Sequence, residues 1–254
     1  MTSDPTANFN KKTADEKLRV QTQFGQNALH YRDEPLFSAG DDLSIMVKLA
    51  GPTGREKLLD MGTGAGHTAL AFASHVSQCT GLDLTEEMVK TAVQLAQERG
   101  AANVDFVRGD AEALPFPDDS FDLITCRLAA HHFPNASLAV QEAARVLKPG
   151  GRLLLLDHYA PDDPELDRFV NELDKTRDPS HVREFTLQEW ERFFRQAGLS
   201  VQTYLLQDLE LDFEKWVQRS QTPPEAKARL IHMLQTASPQ CRETLSIRLD
   251  EQGH

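Results

Sequence analysis

The sequence predicts an α/β fold in which strands and helices alternate around a parallel sheet. Two observations predict it: short apolar segments end at glycine or acidic residues, and most are followed by a segment with apolar residues at helical spacing. The predicted strands are 57–61, 79–82, 104–107, 121–126 and 153–156, and the helices between them are 66–74, 85–99 and 136–147. This alternation is typical of βαβ units, whose right-handed crossovers place helices on both faces of the sheet.

The segments around this core are less regular. Residues 1–16 are polar and predict a flexible N-terminus, whereas 17–254 are predicted to form a single domain. This domain begins with a helical lead-in at 18–28 and 36–49. Charge and proline dominate 158–185, which we interpret as a cap insertion over the sheet. The segments predicted after it are a helix at 187–197, a sixth strand at 200–205, a helix at 222–236 and a further helix from 238.

Composition restricts the class of partner. The chain carries 27 basic and 39 acidic side chains, a formal net charge of −12, so a nucleic acid would be repelled on average. We therefore expect a small-molecule substrate. The sequence contains no apolar segment long enough to span a membrane and no secretory signal at its N-terminus. The 3 cysteines lie far apart, which indicates free thiols and a cytoplasmic location.

A glycine-rich turn follows the first predicted strand. Leu58 to Gly66 reads Leu-Leu-Asp-Met-Gly-Thr-Gly-Ala-Gly, and glycine at alternate positions lets the backbone turn sharply and lets a ligand approach. The alternative is an ordinary strand-to-helix turn. A dinucleotide fingerprint requires another glycine at position 67, where this chain has His67, so the turn is a poor match for NAD.

Acidic residues end the next two strands. Asp83 can accept hydrogen bonds from both hydroxyls of a ribose, or can instead cap the following helix. Asp110, within Gly109 to Phe116, can accept a hydrogen bond from the exocyclic amine of adenine, with Leu84 and Met88 covering the ring faces. The alternative for this segment is a surface loop whose polar residues cap backbone groups.

These motifs, together with Asp118 to Asp122 and Arg145 to Gly151, resemble the class I methyltransferases that depend on S-adenosylmethionine (SAM). The resemblance covers 24–205 and is to the small-molecule branch that includes the ubiquinone and menaquinone methyltransferases. It implies a Rossmann-like sheet that normally ends with an antiparallel seventh strand. The chain ends where that strand would begin, so we expect it to be absent or rearranged and strand six to be weakly held.

The resemblance also implies roles for individual residues toward SAM. These are Gly62, Thr63 and Gly64 along the methionine part, Asp60 orienting its amino group, Asp83 at the ribose, Asp110 and Ala111 at the adenine, Arg127 as a further contact, and Tyr31 closing over the cofactor.

Two adjacent histidines follow strand four. A histidine that titrates near neutral pH can accept a proton from a phenol or an amine, so His131 and His132 are the candidate general bases. The alternative is that one histidine packs in the loop while the other forms the pocket wall. We expect no metal site, because the spacing of the sequence indicates no third ligand.

The cap contains further polar and aromatic candidates. Arg177, His181 and Arg183 can hold an anionic substrate group or form internal salt bridges. Four aromatic residues can line an apolar pocket, although the last two lie at helical spacing typical of packing on the sheet: Phe169, Phe185, Trp190 and Phe193.

Three other functions compete with small-molecule methylation. An NAD(P)-dependent oxidoreductase is disfavoured by His67, and a nucleic-acid methyltransferase by the acidity and by Arg127-Leu128-Ala129-Ala130, where such enzymes carry Asn/Asp-Pro-Pro-Tyr. The third is a non-catalytic SAM-binding or interaction protein on the same fold. The sequence predicts neither the methylated atom (O, N or C) nor the oligomeric state.

Overall fold

A five-stranded sheet forms the centre of the computed structural model, which describes residues 5–202 and 205–249. Its strands are β1 (Lys57–Met61), β2 (Gln78–Asp83), β3 (Val104–Arg108), β4 (Phe121–Arg127) and β5 (Leu147–Leu156). The strand order is β3-β2-β1-β4-β5, and every neighbouring pair is parallel. The predicted α/β class and the predicted order of the core elements are confirmed.

Helices surround the sheet and extend the chain at both ends. They are α1 (Pro5–Asp33), α2 (Pro35–Ser38), α3 (Asp41–Ala50), α4 (His67–Ala73), α5 (Glu86–Glu98), α6 (Ala136–Val146), α7 (Pro164–Arg177), α8 (Leu187–Gln196), α9 (Phe213–Arg219), α10 (Pro224–Gln235) and α11 (Pro239–Thr244). A single 3₁₀ turn, Ala130–His132, follows β4.

The sheet has a hydrophobic core on each face, because successive side chains of a strand point to opposite faces. Leu59 of β1 belongs to the core that α6 and α8 cover, whereas its neighbour Leu58 belongs to the core that α3 and α4 cover. Both leucines are completely buried. This burial on both faces explains why the strand sequences read as apolar runs rather than as alternating patterns.

The strand order determines where a ligand can bind. The chain leaves β1 toward β2 and β3 on one side, and then crosses to β4 and β5 on the other side. The connections that follow β1 and β4 therefore diverge, which opens a crevice at the carboxyl ends of these two central strands.

The helical lead-in differs from its prediction. Helix α1 begins at Pro5, so residues 5–16 are helical where the sequence predicts a flexible segment; residues 1–4 lie outside the described residues. The polar composition of this segment gives no sign of the helix, which packs against α5 in a later part of α1. The predicted helix at 36–49 is interrupted at Gly40 and forms the separate helices α2 and α3.

The predicted sixth strand is not found in the described part of its segment. Residues 200–202 and 205 are not in a strand, and residues 203–204 lie outside the described residues. In the ranges 157–202 and 205–249 the chain is helical or irregular, so the described sheet ends at β5. Helix α9 was not predicted, whereas the helices at 187–197, 222–236 and 238 onward are confirmed as α8, α10 and α11.

We predict a large contrast in amide hydrogen exchange between the central strands and this irregular segment. The amides of Leu59 and Ile124 lie in paired, buried strands and should exchange only through global unfolding, whereas those of Val201 and Gln202 should exchange within seconds to minutes. Hydrogen exchange followed by mass spectrometry or NMR measures this contrast. Protection at 200–202 equal to that of β5 would show that a strand does form there.

Candidate active site

A cavity lies at the carboxyl ends of the strands, at the crevice expected from the strand order. The turns after β1, β2, β3 and β4 line it, together with residues of α1 and α2 and the last residues of α7 and α9. The residues predicted to bind cofactor or to catalyse all line this cavity except Asp60, and they are Tyr31, Gly62, Thr63, Gly64, Asp83, Leu84, Met88, Asp110, Ala111, Arg127, His131 and His132.

The glycine turn after β1 is shaped for close approach. Gly62 has a φ of 65°, and a Cβ there would lie 2.6 Å from the Cβ of Ala129. Behind the turn, Asp60 accepts hydrogen bonds from the hydroxyls of Thr63 (2.6 Å) and Thr125 (2.7 Å). Asp60 is buried, and burial raises its pKa to about 6. Asp60 therefore holds the turn in place from behind the cavity wall, and its predicted role toward the amino group of SAM, through water, stays a prediction.

Asp83 is fixed at the end of β2 by two backbone donors. Its carboxylate accepts hydrogen bonds from the amides of Gly64 (2.9 Å) and Thr85 (2.8 Å). The N-cap of α5 is Thr85 and no side chain caps this helix, so the alternative in which Asp83 acts as its cap is wrong, and the Asp83 carboxylate lines the cavity. Each carboxylate oxygen can accept more than one hydrogen bond, so lone pairs remain for a ligand.

A lysine that the sequence analysis missed lies at the third strand end. Lys17 of α1 places Nζ 2.6 Å from Asp110 and 2.6 Å from Glu112. The amide of Asn135 donates a further hydrogen bond to Glu112 over 2.6 Å. Asp110 therefore lies in the cavity wall with a cation already beside it.

One face of α1 forms the roof of the cavity. Lys17, Val20, Phe24 and Tyr31 all line the cavity and lie three, four and seven residues apart, which puts them on one side of a helix. The Tyr31 ring centroid is 4.9 Å from that of Phe24 and 5.3 Å from that of Phe37. This periodicity is the signal by which sequence reasoning could have found Lys17 and Phe24.

Arg127 has its hydrogen bonds within the protein. Its guanidinium donates to the carboxylate of Asp42 and to the carbonyls of Leu36 (3.0 Å) and Phe37 (3.1 Å). It thereby fixes α2 and α3 to the end of β4. The predicted contact to the cofactor is limited to the part of its surface that reaches the cavity.

The chain turns abruptly after β4 and brings His131 against Asp157. Leu128 has a φ of 52°, a strained conformation for a branched residue that is typical of functional sites. The His131 amide donates to Asp157 Oδ2 over 3.0 Å, and Nδ1 of the same residue lies 2.6 Å from Oδ1. Burial alone would raise the pKa of Asp157, but His131 holds it below its usual value.

His132 has a different environment from its neighbour. Its Nδ1 lies 3.2 Å from the Ser180 carbonyl, and its ring meets Phe24 edge-on at 4.8 Å. Burial, with His131 as a second cause, lowers the pKa of His132 to about 3. His132 is therefore neutral at ordinary pH and forms part of the cavity wall.

The cap places a third histidine beside this pair. The His158 ring is stacked on that of His131 with centroids 5.6 Å apart, and its Nδ1 lies 3.4 Å from Glu184. Burial lowers the pKa of His158, but the hydrogen bond to Glu184 and the charges of Glu184, Asp157 and Asp174 outweigh it and raise the pKa to about 9. His158 is thus a cation at neutral pH.

The other charged cap residues pair internally, as one predicted alternative stated. Arg177 lies 3.1 Å from Asp174, and Arg183 lies 3.0 Å from Asp167. His181 Nε2 is 3.2 Å from the side-chain oxygen of Asn171. Two of the four aromatic candidates also follow the predicted alternative: Trp190 and Phe193 pack in the hydrophobic core over the sheet.

The fold also assembles a set of potential metal ligands that sequence spacing did not indicate. One ligand atom from each of His131, Asp157 and His158 lies within 4.8 Å of the others. The expectation that no third ligand exists near the histidines is therefore wrong, because Asp157 and His158 come from the end of β5. Their present hydrogen bonds satisfy Asp157 without an ion.

Comparison with known proteins decides the family. Residues 59–155 match the family described as methyltransferase domain. The chain is 50% identical over 233 residues to the uncharacterized methyltransferase YcgJ from Bacillus subtilis, an alignment that covers 92% of each protein. The chain belongs to the class I SAM-dependent methyltransferases.

Solved structures and further relatives agree with this assignment. The crystal structure of YcgJ matches with a TM-score of 0.83 over 84% of this chain and 92% of that one, and BH2331 from Bacillus halodurans with 0.77 at 37% identity over 85% and 93%. UbiE from Rhizobium meliloti, a ubiquinone/menaquinone biosynthesis C-methyltransferase, is 38% identical over 50% of this chain and 51% of its own length. No described helix of this methyltransferase has the length and apolar character of a membrane span.

The His158 pair predicts a pH dependence of stability. The pKa of His158 is about 9 in the folded protein, whereas in the unfolded chain the same imidazole has the ordinary histidine pKa of 6.5. The stabilisation is therefore complete below pH 6.5 and is lost as the pH rises through 9, by about 3 kcal/mol. Urea unfolding of the wild type and of His158→Gln between pH 6 and pH 9.5 measures it.

The variant should show a flatter dependence of its unfolding free energy on pH over this range. His75→Gln, a change at an exposed histidine, is the matched control and should keep the wild-type slope. Equal slopes for the wild type and His158→Gln would refute a stabilising charge on His158.

Proposed function

We propose that this methyltransferase transfers the methyl group of SAM to a small-molecule O, N or C nucleophile, with His131 as the proton acceptor. The single observation that carries the proposal is the 2.6 Å contact of His131 Nδ1 with Asp157 beside the cavity. A net charge of −12 supports a small molecule rather than a nucleic acid as the acceptor. A cytoplasmic location, inferred from the sequence, remains a prediction.

The cavity fits SAM in shape and in hydrogen-bonding groups. Beside Gly64 nothing lies within 4 Å of the position that a Cβ would take, so a ligand can approach the backbone there, as the sequence predicts for the methionine part. Asp83 would accept hydrogen bonds from the ribose hydroxyls, while Asp110 would face the adenine between Leu84 and Met88. When bound, SAM supplies an electrophilic methyl group.

His131 is oriented to take a proton from the acceptor. The ionised Asp157 accepts from the Nδ1–H of His131, which leaves the lone pair of Nε2 for a ligand. Asp157 also accepts the backbone amides of His131 and His158, so the carboxylate fixes both the ring and the turn that carries it. Holding an acceptor in line with the methyl donor contributes about 7–11 kcal/mol in well-oriented reactions.

The cofactor assignment predicts a loss of affinity in Asp83→Asn. Removing the charge weakens the hydrogen bonds to the ribose hydroxyls, so the Kd for SAM should rise roughly 10- to 100-fold. Isothermal titration with SAM and S-adenosylhomocysteine measures it. Asp105→Asn, a change at an exposed aspartate of β3, is the matched control and should bind as the wild type does. A folded wild-type protein that binds neither compound would refute the proposal.

The catalytic assignment predicts that His131→Gln affects turnover and not cofactor binding. Loss of a general base lowers kcat about 10²- to 10⁴-fold. An acceptor is first identified by screening phenols, amines and activated methylene compounds for SAM-dependent release of S-adenosylhomocysteine. Asp157→Asn should reduce kcat as well, because the neutral side-chain amide of asparagine cannot hold His131 in the tautomer that the carboxylate favours.

Treatment with EDTA distinguishes this role from metal binding. Turnover that is unchanged by EDTA agrees with proton transfer to His131. Turnover that EDTA abolishes and a divalent ion restores would instead make His131, Asp157 and His158 metal ligands, and would overturn the general-base assignment.

A further inference from the structure

The two ends of the cavity differ in charge. Asp83, Asp110 and Glu112 lie in the wall beside β2 and β3. Beyond the glycine turn, the wall contains His67 of α4 and Arg219 of α9. Both residues lie near Tyr31. The charge of Arg219 acts to lower the pKa of the Tyr31 hydroxyl, and the His67 ring lies beside the Tyr31 backbone.

Arg219 is a largely buried cation with no hydrogen-bonded anionic partner in the described chain. Its guanidinium lies over the Phe37 ring at 5.7 Å, and only 12% of its side chain is exposed. The carboxylate of Glu34 comes to 3.9 Å from its Nε, which is too far for a hydrogen bond. Nε is buried and donates to no acceptor among the described residues. A buried, unsatisfied donor of this kind is costly, which points to a ligand that completes it.

The other arginines of the cavity wall do not share this property. Arg177 contacts Asp174 and the hydroxyl of Ser220 and stacks on Trp216 at 5.1 Å. Arg127 donates to Asp42 and to two carbonyls. Both guanidinium groups are thus satisfied within the protein.

His67 provides a second, independent unsatisfied group at the same end. His67 is 5% exposed, and its two ring nitrogens are buried and make no well-formed hydrogen bond among the described residues, while the backbone of Tyr31 and Arg32 lies beside the ring. It directly follows the glycine turn that is assigned to the methionine moiety, and it lines the same cavity.

We propose that Arg219, assisted by His67, binds the methionine carboxylate of SAM. The inference rests on the proposed cofactor, since the acids at one end of the cavity face the ribose and adenine and leave the amino-acid end beside Arg219. A guanidinium binds a carboxylate in a planar, charge-assisted geometry, and the apolar Phe37 ring beneath it excludes water from one side.

The proposal gives the C-terminal part of the chain a role in cofactor binding. Arg219 is the last residue of α9, which lies outside the matched methyltransferase domain of residues 59–155. The cofactor would therefore be held by the domain at its adenosine end and by α9 at its amino-acid end.

The test compares ligands with and without the carboxylate. SAM, S-adenosylhomocysteine and 5′-methylthioadenosine, which lacks the amino-acid part, are titrated calorimetrically into the full-length wild type, Arg219→Gln and Arg219→Lys. Arg219→Gln should raise the Kd of the first two compounds roughly 10- to 100-fold and change that of 5′-methylthioadenosine by less than about twofold. Arg219→Lys should restore part of the affinity, because it keeps the charge.

Arg229→Gln is the matched control, since Arg229 is an exposed arginine paired with Glu172, and it should bind all three ligands as the wild type does. Equal weakening of all three ligands by Arg219→Gln would make Arg219 a structural support and overturn the proposal. Unchanged binding of all three ligands to Arg219→Gln would also overturn the proposal. If this variant then bound an acidic methyl acceptor more weakly than the wild type does, Arg219 would be assigned to that acceptor instead. Failure of the wild type to bind any of them would refute the proposed cofactor itself.

His67→Gln supplies a second measurement that does not depend on the docking of α9. The proposal expects it to weaken SAM and S-adenosylhomocysteine in preference to 5′-methylthioadenosine, as Arg219→Gln does. A loss that is the same for the three ligands would remove His67 from the proposed carboxylate site.

Discussion

The parallel arrangement of the five strands is the constraint on which the site depends. Strands that all run in one direction end at one edge of the sheet, so residues far apart in sequence meet there. The chemistry-bearing residues that follow β1, β2, β3, β4 and β5 are, in order, Gly62, Asp83, Asp110, His131 and Asp157. Because backbone hydrogen bonds fix the register of every neighbouring pair, these groups are positioned before any ligand arrives.

The cap adds a second constraint, which is electrostatic. Several charged side chains of α7 and the following loop are buried, and burial of an unpaired charge is costly, so each needs a partner of opposite sign. Arg177 with Asp174 and His158 with Glu184 satisfy this requirement over the cavity. These ion pairs hold the cap in one arrangement. The carboxylate partner of His131 is different, because it is Asp157 at the end of strand β5.

The sequence predicted the core well because its signals are local. Apolar runs, the alternating glycines and the acids at strand ends each lie within a few residues, and the residues predicted from them to bind cofactor line the cavity, with the exception of Asp60. What it missed depends on contacts between distant segments. Lys17 and Asp110 are 93 positions apart in the sequence, and His131 and Asp157 are 26 positions apart. The position of α9 depends on its packing against other segments, which a local sequence pattern does not indicate. The interrupted lead-in at Gly40 likewise reflects the way Arg127 binds the carbonyls of α2.

The polar groups in and behind the cavity wall fall into two sets, those that already have hydrogen-bond partners within the protein and those that have none. The carboxylates of Asp60 and Asp83 belong to the first set, because they accept internal hydrogen bonds that fix them. His67 at the start of α4 and Arg219 at the end of α9 belong to the second, since each keeps a buried nitrogen without a partner among the described residues. A protein tolerates such groups where a ligand satisfies them, because the cost of their burial in the free state is recovered as affinity in the bound state. The start of α4 and the end of α9 would therefore contribute to recognition of the cofactor in the site proposed above.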